Sequence, residues 1–322
     1  MIGRNLVITA ALLLACAAGA AQAEDAYPSQ VIRLIVPFPP GSSSDVSARA
    51  IAQKISAPLS QQVIVENKPG AGGRIGMETV KRSKPDGYTL AVGTASSTVV
   101  PKLIFKNVPF DLARDFIPVA TMANTPLLIT VNYESPFATV ADLVAAAKKA
   151  PETLTYGNSA GLYRIAMEAF NDAAGIDLLG IPFKGPSAAA VELMAGRLSV
   201  NPDALGAVAP MLQAKRIRPL AVMGSQRTES LPDVPTMMEL GYKDFDFNGW
   251  LGILAPAGTP QGIVRRLHQE IAKAVQSPDI RDLYSTLGLE PTVLSPEEYR
   301  DAMTSDLARY ERAATKAGIA KE

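Results

Sequence analysis

Residues that commonly supply redox, metal and acid–base chemistry are scarce in this sequence. Its 322 residues include one cysteine, Cys16, and one histidine, His268. A single cysteine cannot form an internal disulfide, and one histidine among scattered carboxylates provides no metal-ligand cluster. We therefore predict no metal and no cofactor, and we expect a hydrophobic core of ordinary size to stabilise the chain.

The sequence also lacks an excess of either charge. Lys plus Arg number 31 and Asp plus Glu number 31, so the formal net charge is zero. No long-range field therefore attracts nucleic acid or an anionic membrane. The basic pairs Lys81-Arg82 and Arg265-Arg266 have no interleaved aromatic residues and are typical of solvated helix faces. We predict no nucleic-acid partner, and any attraction for an anion must be local.

Long apolar runs are missing after the N-terminus, where no segment reaches the ~18 residues of a membrane-spanning helix. The N-terminus itself has Arg4, an apolar run over residues 6–20 and the small-x-small pattern Ala21-Gln22-Ala23. This order is typical of a signal peptide, so we predict export and cleavage of residues 1–23. A retained anchor and a lipoprotein processed at Cys16 are the alternatives.

What the sequence does contain is an alternation of apolar β-branched runs with helical patterns. Residues 31–38 predict a buried strand and residues 45–59 a helix, and residues 62–69 and 88–96 predict two more strands. Such β–α–β–α–β alternation predicts a parallel sheet flanked by helices. The middle of the chain repeats the alternation, so the predicted fold class is α/β.

Two long helical patterns close the chain, at residues 260–288 and 295–318. Because no further sheet follows them, their apolar faces must pack on elements formed earlier. The simplest arrangement is a discontinuous first domain, residues 24–125 plus 248–322, with a second domain, residues 126–247, inserted into it.

Five predicted strand exits share one composition. They are rich in Gly, Ser and Thr and poor in carboxylates, and they lie at residues 37–45, 93–97, 156–161, 183–185 and 201–204. Ligands of open parallel sheets bind at this edge, where backbone N–H groups and helix N-termini attract anions. The pattern predicts an anion or carboxylate site, although ordinary helix capping explains any single loop.

Two carboxylates fall within these exits. Asp45 follows three serines and begins a helix, so we interpret it as a helix cap. Asp203 follows Asn201-Pro202 at an apparent strand exit, which makes it a candidate acceptor for a ligand amine or hydroxyl. A capping role is the alternative for Asp203 as well.

One motif predicts an enzyme instead. Residues 157–161 read Gly-Asn-Ser-Ala-Gly, the G-x-S-x-G pattern of a nucleophile elbow, with Ser159 as nucleophile and His268 downstream. His268, however, falls in a helix beside an apolar stripe, whereas a general base belongs where it can reach the serine. A secreted serine hydrolase is therefore the weaker alternative. The glycine-rich residues 70–76 favour a turn over a dinucleotide site.

Several segments closely resemble the Bug family, the extracytoplasmic solute receptors of tripartite tricarboxylate transporters. The resemblance rests first on YPSQVIRLIVPFPPGSSSDVSARAIAQKI, VIVENKPGAGGRIGMETV, KPDGYTLAVGTAS and VPFDLARDFIPVA. It continues through LTYGNSAG, IPFKG, LAVMGSQRTESLPDVPTMMELGY and WLGILAPAGTP. It thus covers essentially the whole chain after the predicted signal peptide, in order.

The resemblance implies a type II periplasmic binding protein, with two α/β domains that have central sheets, are joined by two crossover segments and close on a ligand. It implies a periplasmic receptor without catalytic activity. Such a receptor captures a small organic carboxylate and delivers it to the membrane permease of a tripartite transporter. A sensor kinase is an alternative partner, and we expect a monomer.

The resemblance also implies that the carboxylate is held between the domains, partly by backbone groups and water. The predicted ligand-binding residues are Phe38, Pro40, Gly41, Ser42, Ser43, Ser44, Gly93, Thr94, Ala95, Ser96, Ser159, Ala160, Gly161, Leu162, Tyr163, Arg164, Lys184 and Asp203.

This chain departs from the usual family pattern at two loops. Ser42-Ser43-Ser44 stands where glycines and a threonine are usual, and Leu162-Tyr163-Arg164 replaces small polar residues. We hypothesise that Arg164 pairs with a second carboxylate or that Tyr163 stacks on a ring. Either contact favours a dicarboxylate or an aromatic acid, and the alternative is that Arg164 points to solvent.

Overall fold

The computed structural model describes residues 27–158, 161–183 and 185–321. The predicted signal peptide lies outside these residues. So do four residues discussed above: Cys16, Ser159, Ala160 and Lys184. Within the described part of the chain, no helix is both long and apolar enough to cross a bilayer. In the same part, no three His, Cys, Asp or Glu side chains cluster as metal ligands.

The strands, numbered in chain order, alternate with helices. The strands are β1 (Ile32–Val36), β2 (Val63–Asn67), β3 (Thr89–Thr94), β4 (Phe116–Thr125), β5 (Leu127–Asn132), β6 (Thr155–Asn158), β7 (Leu179–Pro182), β8 (Asn201–Ala204), β9 (Ile217–Val222), β10 (Gly249–Pro256) and β11 (Glu290–Pro291).

The helices follow the same chain-order numbering. They are α1 (Ser43–Ser56), α2 (Arg74–Lys81), α3 (Ala95–Thr98), α4 (Val100–Ile104), α5 (Leu112–Asp115), α6 (Val140–Lys149), α7 (Gly161–Ala174), α8 (Pro186–Met194), α9 (Leu205–Gln213), α10 (Gln261–Val275), α11 (Pro278–Thr286) and α12 (Pro296–Lys316). A single 3₁₀ turn, Ala71–Gly73, precedes α2, so the glycine-rich segment forms a turn, as predicted.

The first lobe is built on a six-stranded sheet in the order β11-β4-β10-β3-β1-β2. Strands β1, β2 and β3 are parallel, as their buried apolar runs predict, whereas β10 is antiparallel to both β3 and β4. Helix α1 packs on β1 and β2, and α10 and α12 pack on β4. The C-terminal helices therefore return to the first sheet, as the absence of a later sheet predicts.

The second lobe contains two small sheets. Strand β5 is central and antiparallel to β8 and β9, and β6 pairs with β7 in parallel. The chain passes from the first sheet to these sheets at Pro126 and returns through residues 223–248. The fold is thus α/β with two lobes and two crossovers. The exact limits of the predicted domains stay a prediction.

Candidate functional site

The cleft lies where strand ends of the first sheet meet the second lobe. Because β10 is antiparallel to its neighbours, its first residues lie beside the last residues of β3 and β4. Leu251 pairs with Thr94, and Gly249 pairs with Thr125. The carboxyl ends of β1, β3 and β4 and the start of β10 therefore share one edge, which is the edge where ligands of such sheets bind.

The loop after β1 is braced by Asp45. The Asp45 carboxylate accepts hydrogen bonds from Gly41 N at 2.9 Å, Asn67 Nδ2 at 2.8 Å and Arg49 Nε at 3.1 Å. Burial raises the pKa of Asp45, but these hydrogen bonds outweigh burial and hold it below its ordinary value. Asp45 is thus a local support in the first turn of α1. It is not the predicted helix cap, because the cap is Ser42, and the Gly41 N–H is already used.

The two residues after the cap of α1 keep free backbone donors. Ser42 caps the helix, and its Oγ accepts from Asp45 N at 3.3 Å. The N–H groups of Ser43 and Ser44 donate to no other described residue. The first N–H groups of a helix have no partner within the helix, so these two donors face whatever fills the cleft.

The loop after β3 repeats this arrangement. Thr94 and Ser97 form a capping box, in which Thr94 Oγ1 accepts from Ser97 N at 3.1 Å. The intervening N–H groups of Ala95 and Ser96 have no hydrogen-bond partner among the described residues. Gly93 has a packing role instead, since a Cβ there would lie 2.8 Å from Leu254 Cδ1.

The second lobe contributes the first turn of α7. Leu162 and Tyr163 lie at the cleft, and Tyr163 is partly buried against the core of the lobes. Burial, together with the charge of Asp203, raises the pKa of Tyr163, so its phenol stays neutral and can donate a hydrogen bond. Gly161 packs against the first lobe, where a Cβ would lie 2.5 Å from Val100 Cγ1.

These loops enclose a cavity of about 240 Å³. Its lining combines hydroxyl groups with apolar side chains, and among the described residues it contains no charged side chain. The lining residues are Phe38, Ser42, Ser43, Ser44, Thr94, Ala95, Ser96, Thr125, Leu127, Leu162, Tyr163, Ala204, Gly249, Trp250, Leu251 and Leu289. The structure therefore brings together nine of the predicted residues, namely Phe38, Ser42, Ser43, Ser44, Thr94, Ala95, Ser96, Leu162 and Tyr163.

Other predicted residues lie outside this lining. Pro40 and Gly41 are exposed in the first loop, and Gly93 and Gly161 serve packing. Arg164 is partly buried, its Nε has no hydrogen-bond partner among the described residues, and its charge acts on Tyr156. The structure thus places Arg164 outside the cavity lining, and whether its guanidinium faces a ligand or solvent stays a prediction.

Asp203 lies inside strand β8 and not at a strand exit. Its side chain is 1% exposed and accepts hydrogen bonds from Thr130 Oγ1 at 2.5 Å and Asn201 Nδ2 at 2.7 Å. Burial raises the pKa of Asp203 to about 6, although both hydrogen bonds oppose that shift. The prediction that Asp203 lies at a strand exit is therefore wrong. The N-terminal cap of α9 is Ala204 and not Asp203, and Ala204 makes no side-chain hydrogen bond.

Part of the lining was missed by sequence reasoning. Thr125, Leu127 and Ala204 come from the first crossover and the start of α9, and the other four missed residues are Gly249, Trp250, Leu251 and Leu289. Ala204 ends the predicted exit at residues 201–204 but was not predicted as a ligand-binding residue, and the other six residues belong to no predicted exit. The sequence did contain one signal, because Trp250 is the only tryptophan of the chain and directly precedes a mostly apolar run at residues 251–256.

The hydrolase alternative gains no support from His268. This residue lies on α10, and its Nδ1 lies 3.0 Å from the carbonyl oxygen of Val119 in β4, which accepts a hydrogen bond from it. His268 is not among the residues that line the cleft. The candidate nucleophile, Ser159, lies outside the described residues.

Comparisons with known proteins agree on one family. Residues 47–319 match the family model described as "Tripartite tricarboxylate transporter family receptor". A curated relative from Pseudomonas sp. (strain P51), the "UPF0065 protein in tcbD-tcbE intergenic region", is 36% identical over 97% of this chain and 94% of its own.

Two solved structures extend the comparison. Rpa4515 from R. palustris, solved with adipate, is 33% identical, with a TM-score of 0.79 over 92% of this chain and 100% of that one. MatC from Rhodopseudomonas palustris, solved with bound malate, is 26% identical, with a TM-score of 0.74 over 89% of this chain and 100% of that one.

Proposed function

Because the chain belongs to the tripartite tricarboxylate transporter receptor family, we propose that its cleft captures an organic carboxylate. Receptors of this family bind solutes outside the cytoplasm and are not enzymes, and the chain is such a receptor. The structurally similar Rpa4515 and MatC were solved with adipate and malate, and both ligands are carboxylates.

One observation carries the proposal. Four backbone N–H groups at the cavity, those of Ser43, Ser44, Ala95 and Ser96, have no hydrogen-bond partner among the described residues. Hydrogen bonds from N–H groups to an anion are stronger than those to a neutral acceptor. A carboxylate with two oxygens is therefore suited to this part of the first lobe, and the nearby serine and threonine hydroxyls supply further donors.

The rest of the lining favours an apolar ligand body. Phe38, Leu127, Leu162, Leu251 and Leu289 surround the cavity together with the Trp250 and Tyr163 rings. Arg164, the proposed partner for a second carboxylate, does not line it. A cavity of about 240 Å³ also lies below the usual range for drug-sized ligands. We propose a small acid with one carboxylate at the first-lobe loops and an aromatic or aliphatic body near Tyr163.

The remaining parts of the proposal concern the setting of the receptor. We propose that the protein is exported through cleavage of residues 1–23, acts as a monomer and delivers its ligand to the permease of a tripartite transporter. Family membership supports the permease as partner.

The experiment removes the unpaired backbone N–H of Ser43 and leaves helix α1 intact. Proline is well tolerated at the first position of a helix, and Ser42 has φ −66° and ψ 155°, a conformation that suits a residue before proline. Ser43→Pro therefore removes both the N–H and the hydroxyl, whereas its matched control, Ser43→Ala, removes the hydroxyl alone. The two variants and the wild type are titrated by calorimetry with benzoate, adipate, malate and citrate after removal of any copurified ligand.

We expect the wild type to bind at least one of these acids without converting it. Ser43→Pro should weaken that binding about 10-fold relative to Ser43→Ala, since a hydrogen bond to a charged group contributes about 1.5–3 kcal/mol. Equal affinities in the two variants would show that the backbone N–H of Ser43 does not contribute to binding of the anion. Hydrolysis of p-nitrophenyl acetate that Ser159→Ala abolishes would instead favour the hydrolase.

A further inference from the structure

A second cavity of about 130 Å³ lies behind the ligand cavity. It is polar, and its lining includes Asp246, Asn248, Tyr299 and Asp306. Gly249 and Trp250 line both cavities. The first residues of β10 therefore lie between the cleft and a polar interior.

Two contacts fix the orientation of this indole. Trp250 is 7% exposed, and its Nε1 donates a hydrogen bond to Asp306 Oδ2 at 2.9 Å. The Tyr299 ring packs edge-on against it, with ring centroids 5.1 Å apart and an interplanar angle of 84°. One contact is thus directional and the other steric, and together they hold the indole in one orientation.

Asp306 is itself held in place. It is 9% exposed on helix α12, and its Oδ1 lies 3.2 Å from Arg309 Nη1. Arg309 also donates to the backbone carbonyl of Asp246, whose carboxylate lies 3.8 Å away. Asp246 belongs to the second crossover, so the network joins α12, the crossover and the start of β10.

We propose that Asp306 is a positioning residue for the ligand cleft, which by engaging the Trp250 N–H makes this wall of the cleft purely apolar. This inference rests on the proposed function and deepens it, because it explains how the cleft selects acids with an apolar body. An indole has a single polar atom. With that atom bonded to Asp306, the Trp250 side chain offers only carbon atoms to a ligand, and a ligand hydroxyl against the indole has no partner on it.

The charge of Asp306 strengthens this arrangement. Burial raises the pKa of Asp306 to about 6, and Arg309 and Trp250 oppose the shift, so the carboxyl is mostly ionised at neutral pH. A hydrogen bond to an ionised acceptor is shorter and stronger than one to a neutral acceptor. The charged and titratable groups around it are Arg309, Asp246, Tyr299 and Tyr310.

The test combines ligand preference with a spectroscopic readout. Calorimetry gives the ratio of affinities for benzoate and malate in the wild type, Asp306→Ala, Asp306→Asn and the control Asp301→Asn. Asp301 lies on the same helix with a side chain that is 77% exposed. The sole tryptophan of the chain gives one indole N–H resonance, and its exchange in D₂O is followed with and without benzoate.

We expect Asp306→Ala to weaken benzoate binding about 10-fold and to reduce the preference for benzoate over malate, since an indole released from Asp306 can turn its N–H toward a ligand hydroxyl. Asp306→Asn keeps an acceptor oxygen and should retain most of the preference, and Asp301→Asn should match the wild type. In the wild type, the indole N–H should exchange slowly and keep its chemical shift when benzoate binds.

Two outcomes would overturn the inference. The first is an unchanged preference in Asp306→Ala, or, if that variant does not fold, an indole N–H in the wild type that exchanges within minutes. The second is a wild type that binds none of the tested carboxylates, which refutes the proposed function as well. A wild type that binds benzoate with a preference independent of Asp306 refutes the positioning role alone.

Discussion

Gly206 and Gly288 touch backbone to backbone across the two lobes. A Cβ on Gly206 would lie 1.9 Å from the carbonyl oxygen of Leu287, and one on Gly288 would lie 2.3 Å from the Cα of Gly206. Gly206 lies in the first turn of α9, and Gly288 directly precedes Leu289, which lines the ligand cavity. The approach of the lobes beside the ligand therefore requires that both positions lack a side chain.

Gly206→Ala should keep the lobes from closing fully. The clash is with backbone atoms, which cannot rotate away, so we expect the affinity for the best carboxylate to fall about 10-fold or more. Small-angle scattering should show no compaction when ligand is added. The matched control is Gly185→Ala, because a Cβ there meets no atom within 4 Å. Wild-type affinity in Gly206→Ala would mean that the closed state does not use this contact.

Tyr163 and Arg164 are neighbours in sequence but differ in position, since only Tyr163 lines the cavity. We expect Tyr163→Ala to weaken benzoate binding about 10-fold, because an aromatic contact contributes about 0.5–1.5 kcal/mol beyond its buried area. Arg164→Ala should change the affinity for either benzoate or adipate less than about twofold. A selective loss of adipate binding in Arg164→Ala, measured by calorimetry, would instead restore the second-carboxylate hypothesis.

Asp203 should make stability depend on pH. Its pKa in the folded protein is about 6, above the ordinary value of 3.8, so the folded state binds this proton more tightly than the unfolded state. Its contribution is therefore fully present below about pH 4 and is lost as the pH rises through about 6. We expect Asp203→Asn to flatten the pH dependence of the free energy of unfolding between these values by about 2 kcal/mol.

The measurement for Asp203 is urea unfolding of ligand-free protein at several pH values from 4 to 7.5. Asp306, whose pKa is also about 6, is present in both proteins and cancels in the comparison. Identical slopes for the wild type and Asp203→Asn would show that Asp203 titrates normally. The slope is the informative quantity, because the amide also disturbs the hydrogen bond from Asn201.

Asp45 should be important for the first loop although it does not line the cavity. Asp45→Ala leaves Gly41 N without its acceptor and removes one of the two acceptors of Asn67 Nδ2, so we expect a loss of about 1–3 kcal/mol in the free energy of unfolding. Ligand affinity should fall as well, because Ser43 and Ser44 follow the disturbed turn. The control is Asp279→Ala, which removes an exposed ion pair with Lys54 and should change little. Thermal unfolding and calorimetry measure both effects.

The local parts of this protein could be predicted from the sequence. The apolar run at residues 31–38 and the polar exit after it give β1, the loop and α1 in the right order. Helix α1 begins two residues before the predicted start because Ser42, and not Asp45, is its cap. Seven of the nine predicted cavity residues lie in such exits, which are encoded by neighbouring residues, whereas Leu162 and Tyr163 were predicted from the family resemblance.

The parts that escaped prediction depend on distant residues. Trp250 reaches the cleft because β10 inserts antiparallel between β3 and β4, and Leu289 directly precedes β11, which pairs with β4. No local periodicity encodes either pairing. Gly41 lies in a loop whose composition predicts free backbone donors, but its N–H donates a hydrogen bond to the Asp45 carboxylate. Asp203 resembles a strand exit because β8 is short, and its burial depends on pairing with β5.

The position of β10 has a consequence for the order of assembly during synthesis. This strand occupies the middle of the first sheet, between β3 and β4, yet it begins only at Gly249. Until the ribosome has released that segment, the strand that pairs with both β3 and β4 is missing. Strands β5 to β9, in contrast, are contiguous in the chain and can pair early. The lobe that starts first in the chain must therefore be completed last, and a nascent chain stalled before Gly249 would expose two unpaired strand edges.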